Sequence, residues 1–142
     1  MYRTSAAADR SILVSAFSGQ IFGLHRSTGA VAWSAEIEGY GGEVEVAIEG
    51  DVVIACTRSR LALFDYLTGR TIAYVHLVGE HARRPTMVVD QGQIIVARNG
   101  EVACYATNGD AVWLQKFEGM GFGSVTLGLP GNVRQGDDVG SK

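Results

Sequence analysis

The sequence predicts an all-β chain made of repeated four-stranded units, on three observations. A turn glycine recurs at Gly29, Gly69 and Gly109, a fixed period of 40 residues. Tryptophan follows the first and last of these glycines by four residues, at Trp33 and Trp113, with Ala73 in the middle unit. Short runs rich in Val and Ile, bounded by polar or glycine positions, fill the space between, and no segment sustains an apolar face at helical spacing. Glycine makes up 19 of 142 residues and would interrupt most helical windows.

Each unit opens on a buried-strand signal: Ile12-Leu13-Val14, then Val52 to Cys56, then Ile94 to Ala97. A turn follows at Ser18-Gly19-Gln20, at Thr57 to Arg60 and at Arg98-Asn99-Gly100. Asn-Gly is a strong hairpin signal because both central residues must tolerate positive φ. The second strand is Ile21 to His25, Leu61 to Asp65 and Val102 to Tyr105, and the Thr-Gly or Asn-Gly turn closes it. The third strand carries the tryptophan position: Ala30 to Ile37, Thr71 to Val78 and Ala111 to Phe117. A glycine-containing loop leads to a fourth: Glu43 to Ile48, Thr86 to Val89 and Ser124 to Leu129. Four strands in about forty residues match the blade of a β-propeller. The expected organisation is three four-stranded antiparallel blades near 11–48, 51–89 and 93–129 within a unit spanning 1–129, then a flexible polar tail at 130–142.

At these residues the chain resembles the pyrroloquinoline-quinone-like (PQQ-like) β-propeller repeat family. Ile21 to Gly29 and on to Trp33 is the nearest copy of that repeat; Leu61 to Gly69 keeps the aspartate, Asp65, and loses the tryptophan. Val102 to Gly109 is one residue shorter before the turn and keeps Trp113. The resemblance covers residues 11–129 and implies a structural part for Gly29, Trp33, Gly69, Gly109 and Trp113. The tryptophans would cover the turn of a neighbouring blade, a role that suits a large side chain needing one hydrogen-bond acceptor. The fold itself assigns no activity.

Closed propellers have roughly four to eight blades, so three leave open edges, which invite pairing with another chain. The predicted unit is an incomplete propeller that closes by oligomerisation or docks on a partner. Strand order places the entry at the second strand of a blade, near Ser11, and the exit through Ser124–Leu129 as the innermost strand of a fourth. Two copies exchanging that strand would close six blades with two-fold symmetry; the alternative is that Tyr2 to Ala8 caps the first blade.

The formal net charge is −3, from 15 acidic and 12 basic residues, and nothing in it supports nucleic acid as a main partner, which would call for a basic stripe. No apolar run reaches the roughly 18 residues of a spanning helix, and no apolar leader opens the sequence. Cys56 and Cys104 fall in strands of different blades and read as buried free thiols, which points to the cytoplasm.

Candidate chemistry is sparse. His76, Glu80 and His81 match no metal-ligand spacing and read as a solvated loop. The glycine loops Glu38 to Gly42 and Glu118 to Gly123 precede strands, whereas a phosphate cradle opens a helix. Their loops would bring Tyr40, His81, Arg83, Arg84, Met120 and Phe122 around one mouth of the channel, a recognition face for a ligand or partner. No nucleophile elbow is present, and no quinone or other cofactor is expected. The reading is a non-enzymatic interaction or assembly module, with a small-ligand or glycan binder holding its ligand between blades as the alternative.

Overall fold

The structure, a computed structural model, describes residues 9–37, 44–79 and 84–134. Among the described residues there are thirteen strands and no helix. The first sheet runs β1 (Ile12–Phe17), β2 (Gln20–His25), β3 (Val31–Glu36). The second runs β4 (Glu45–Glu49), β5 (Val52–Cys56), β6 (Arg60–Asp65), β7 (Thr71–His76). The third runs β8 (Thr86–Asp90), β9 (Gln93–Arg98), β10 (Glu101–Ala106), β11 (Ala111–Gln115). A hairpin of β12 (Leu127–Leu129) and β13 (Asn132–Arg134) begins a fourth. All pairings are antiparallel between consecutive strands, so the architecture is all-β, in propeller blades.

Turn chemistry sets these hairpins. Ser18-Gly19, Gln91-Gly92 and Asn99-Gly100 all have positive φ at both central residues, the twist that a two-residue hairpin needs. The turn at Thr57 instead uses its hydroxyl, which accepts from the backbone N–H of Arg60 at 3.0 Å. At the outer turns the residue before glycine is Thr28, Thr68 or Asn108, and each side chain accepts the N–H two residues on. The third turn is tighter: Gly29 and Gly69 donate four residues back, to His25 and Asp65, while Gly109 donates three back, to Ala106.

Side-chain alternation divides the core. In β5, Val53 and Ala55 pack toward the first sheet, while Ile54 and Cys56 pack toward the third. In β6, Ala62 and Phe64 serve the first of these cores and Leu61 and Leu63 the second. The second sheet is therefore buried on both faces, which explains why its central strands are nearly continuous apolar runs. Leu127, Val88, Ala97 and Val102 form a smaller core between the third sheet and the β12–β13 hairpin. On the inner side β4 lies beside β8, and β8 beside β12 and β13.

Four expectations need correction. The repeats near 11–48, 51–89 and 93–129 are offset from the sheets by one strand, because the strand that ends each repeat begins the next sheet. Among the described residues the first sheet has three strands. The exit strand is Leu127–Leu129 and not Ser124–Leu129, and it is not unpartnered: β13 of the same chain pairs with it. Asn132–Arg134 thus belongs to a sheet and not to the polar tail, whose residues 135–142, like Tyr2 to Ala8, lie outside the described residues.

Candidate interaction face

The joint between the first two sheets shows what a blade contact in this chain requires. Trp33 lies on β3 opposite Gly23 of β2. A Cβ on Gly23 would run into the indole ring, so only glycine lets the ring lie flat on its own sheet. On the other side the ring meets the outer turn of the second sheet, where a Cβ on Gly69 would stand 2.5 Å from it. The indole Nε1–H donates to the Tyr66 carbonyl at 2.8 Å. Tyr66 returns the contact: its hydroxyl accepts from Ile12 N–H at 2.9 Å and donates to Ile12 O at 2.7 Å.

The joint between the second and third sheets keeps that register with different residues. Ala73 and Val75 of β7 meet Gly109, whose added Cβ would be 3.1 Å and 3.3 Å from them. The Tyr105 hydroxyl accepts from Val78 N–H at 2.7 Å. Buried Arg98 donates to the carbonyls of Arg58, at 2.5 Å, and Val78, at 2.7 Å. Burial pushes the Arg98 pKa down and that of the Tyr105 phenol up, as expected for groups drawn out of water. A cavity of about 10 Å³ remains beside Leu77, Arg98 and Tyr105.

The third outer face is open. Trp33 is 7% exposed, whereas Trp113, 80 residues on, is 44% exposed and finds no hydrogen-bond acceptor for its indole among the described residues. Ile37 and Leu77 are 1% and 8% exposed, whereas Phe117, at the next repeat position, is 47% exposed. Ile37 and Leu77 each donate their N–H back to the hairpin turn of their own sheet, to Gly19 and Ser59. Phe117 instead bonds the Gln115 side chain and sits at a φ of 50°, a left-handed conformation that costs a residue with a Cβ. Every residue of β11 is exposed. Trp33 covers the Gly69 turn, whereas none of the described glycines lies against Trp113.

Of the face expected around the channel mouth, Tyr40, His81 and Arg83 lie outside the described residues. Arg84 reaches Glu45 at the start of β4, with 4.0 Å between charged atoms. Met120 and Phe122 are strongly exposed. Their loop crosses the Asn99-Gly100 turn closely enough that a Cβ on Gly100 would meet the Gly121 carbonyl at 2.9 Å. A groove of about 490 Å³ runs between β4, β8 and β13, with Glu45, Glu49, Asp90 and Arg134 on its walls. Burial pushes the Glu49 carboxyl up, and Asp90 adds to the shift. His76 is exposed, and Glu80 and His81 lie outside the described residues. Cys56 and Cys104 are free and buried, and burial raises the Cys56 thiol to about 12.

Sequence reasoning missed Gly23, Tyr66 and Arg98 as joint residues. Gly23 carried a signal, since a lone glycine in an apolar strand marks a close approach. Tyr66 and Arg98 carried none, because their partners are backbone carbonyls and amides of another sheet.

No protein-family model and no curated protein matches the chain. Solved structures do. BamB from Moraxella catarrhalis superposes with a TM-score of 0.60 at 21% identity, over 83% of this chain and 36% of that one. The quinohemoprotein alcohol dehydrogenase ADHIIG from Pseudomonas putida HK5 gives 0.58 at 16% identity, over 82% and 20%. A europium-containing methanol dehydrogenase gives 0.51 at 14%, over 80% and 23%. The chain has the β-propeller fold of these proteins, consistent with its resemblance to the PQQ-like repeat. It spans about a third of the length of the first and less of the other two.

Proposed function

We propose that this chain is a non-enzymatic propeller module whose work is protein–protein assembly through an unfinished blade joint. One observation carries the reading: Trp113 and Phe117 are exposed at repeat positions that the same chain buries in its first joint. Large exposed apolar side chains at such positions mark an interaction site. Phe122, also exposed, lies on the same cleft as Phe117 at the end of the third sheet. The alternative, a ligand held between blades, finds no room in the joint between the second and third sheets, where the cavity is about 10 Å³, and would have to use the cavity of about 350 Å³ that Arg10, Ile12, Arg26, Ile48 and Tyr66 line between the first and second. The two buried free thiols fit a reducing compartment, and the cytoplasm is the proposed location.

Amide hydrogen exchange tests the reading. The full chain is compared as purified monomer and in its native assembly, by fragment mass spectrometry. Peptides covering 111–117 should be protected in the assembly and exchange fast in the monomer. Equal exchange in both would refute an interface on this face.

A further inference from the structure

Resting on that reading, we propose that the partner is a second copy of this chain, joined head to tail, with Trp113 of one copy seated on the Thr28-Gly29 turn of the other. The chain carries both halves of an unmade joint. Gly29 occupies the repeat position of Gly69, with φ of 80° against 75°. An added Cβ at Gly69 meets the Trp33 ring, while at Gly29 it meets nothing within 4 Å. The Arg26 carbonyl stands three residues before Gly29, as the Tyr66 carbonyl that accepts the Trp33 indole stands three before Gly69.

The sheet face beneath the turn is open in the same way. Arg26 donates its N–H to Ser11 as Tyr66 does to Asp51, which aligns Leu13 with Val53. Val53 is fully buried against the first sheet; Leu13 is 56% exposed. The face that buries Trp33 in the first joint thus recurs, uncovered, on the first sheet, and the tryptophan that would fill it recurs, uncovered, on the third. Such a contact is heterologous, so two copies close into a ring that contains it twice. Three sheets from each copy make six blades, within the roughly four to eight that propellers use.

The incoming first sheet brings β1 to the position beside β12 that β13 now holds. β13 pairs through three residues, none of them buried. β1 makes a six-residue ladder with β2 and has its other edge unpaired among the described residues. The exchange of β13 for β1 completes a four-stranded blade, and β13 acts as a placeholder that weakens association.

Sedimentation equilibrium on the full chain decides this. The chain should reach twice the single-chain mass, with Trp113→Ala and Leu13→Glu each raising the dissociation constant about tenfold or more, as for a central aromatic anchor. Both side chains are exposed, so neither change threatens the fold of one copy. Val133→Pro should tighten association by freeing β12. A purified chain that stays single at all concentrations, Trp113→Ala and Leu13→Glu chains that associate as tightly as the unaltered one, or a Val133→Pro chain that associates less would overturn the second-copy proposal. If the purified chain is single while peptides 111–117 are protected in a native assembly, the face is an interface for a different protein, and only the identity of the partner is lost.

Discussion

The indole N–H of Trp33 donates to the Tyr66 carbonyl at 2.8 Å, and the ring it belongs to is clamped between Gly23 and Gly69. One side chain thus joins two sheets through a hydrogen bond and two glycine contacts. Trp113 occupies the same repeat position without any of the three. Opposite it on β10 stands Cys104 in place of Gly23.

The two tryptophans should therefore differ in energetic weight. Trp33→Ala is expected to cost about 3–5 kcal/mol, the range for a large buried aromatic. Trp113→Ala should cost less than about 1 kcal/mol in the single chain, as for an exposed position. Urea denaturation of both variants at a concentration below association checks this; similar losses would mean that Trp113 is buried in the single chain.

Gly69 and Gly29 provide a matched pair for the ring contact itself. Both have φ near +80°, so alanine carries the same backbone strain at each, about 1 kcal/mol. Only at Gly69 does the new Cβ meet the Trp33 ring. Gly69→Ala should destabilise the single chain by about 1–3 kcal/mol more than Gly29→Ala, the usual cost of overpacking. Equal losses in urea melts would show that the ring does not lie on the turn.

The Asp65 carboxylate links stability to pH. Its Oδ2 accepts from the Thr68 hydroxyl and N–H, both at 2.9 Å, and from Leu67 N–H at 3.2 Å. The Thr68 hydroxyl contributes most to holding its pKa below the ordinary carboxylate value of 3.8. A carboxylate depressed in the folded state stabilises at pH above that ordinary value, and the contribution disappears as pH falls through the folded pKa. Between pH 6 and pH 2 the denaturation midpoint of Asp65→Asn should fall less steeply than that of the unaltered chain. Parallel curves would remove Asp65 from the account.

Cys56 should be inert in the native state. It is fully buried and its thiol is raised to about 12, so almost no thiolate exists at neutral pH and reagents have no path to it. Its modification by a thiol-specific disulfide reagent should be slow in buffer and become fast only through the unfolding transition in urea. Rapid labelling without denaturant would contradict a closed joint between the second and third sheets.

The fold was legible because its determinants are local and periodic. Asn99-Gly100 and the three outer turns name their own geometry, and the Val/Ile runs of β5 and β9 reveal strands whose two faces are both covered. The grouping of strands into sheets was less legible, since Glu45–Glu49 ends the first repeat in sequence but pairs with Val52–Cys56 of the second. Chain order alone does not say on which side of a loop a strand finds its partner. That an edge stays open was legible from the number of repeats, but the exposure of Trp113 was not. Trp33 and Trp113 have the same local sequence signature, and their exposures differ only because a sheet bearing Gly69 packs on one of them.

The central claim is that Trp113 and Phe117 are covered by another protein chain when the molecule functions, and hydroxyl-radical footprinting of the native assembly measures this most directly. With the dissociated chain as reference, both side chains should lose most of their oxidation on assembly, while Val31, exposed on the first sheet, should change little. Trp113 and Phe117 that oxidise as fast in the assembly as in the dissociated chain would contradict the account.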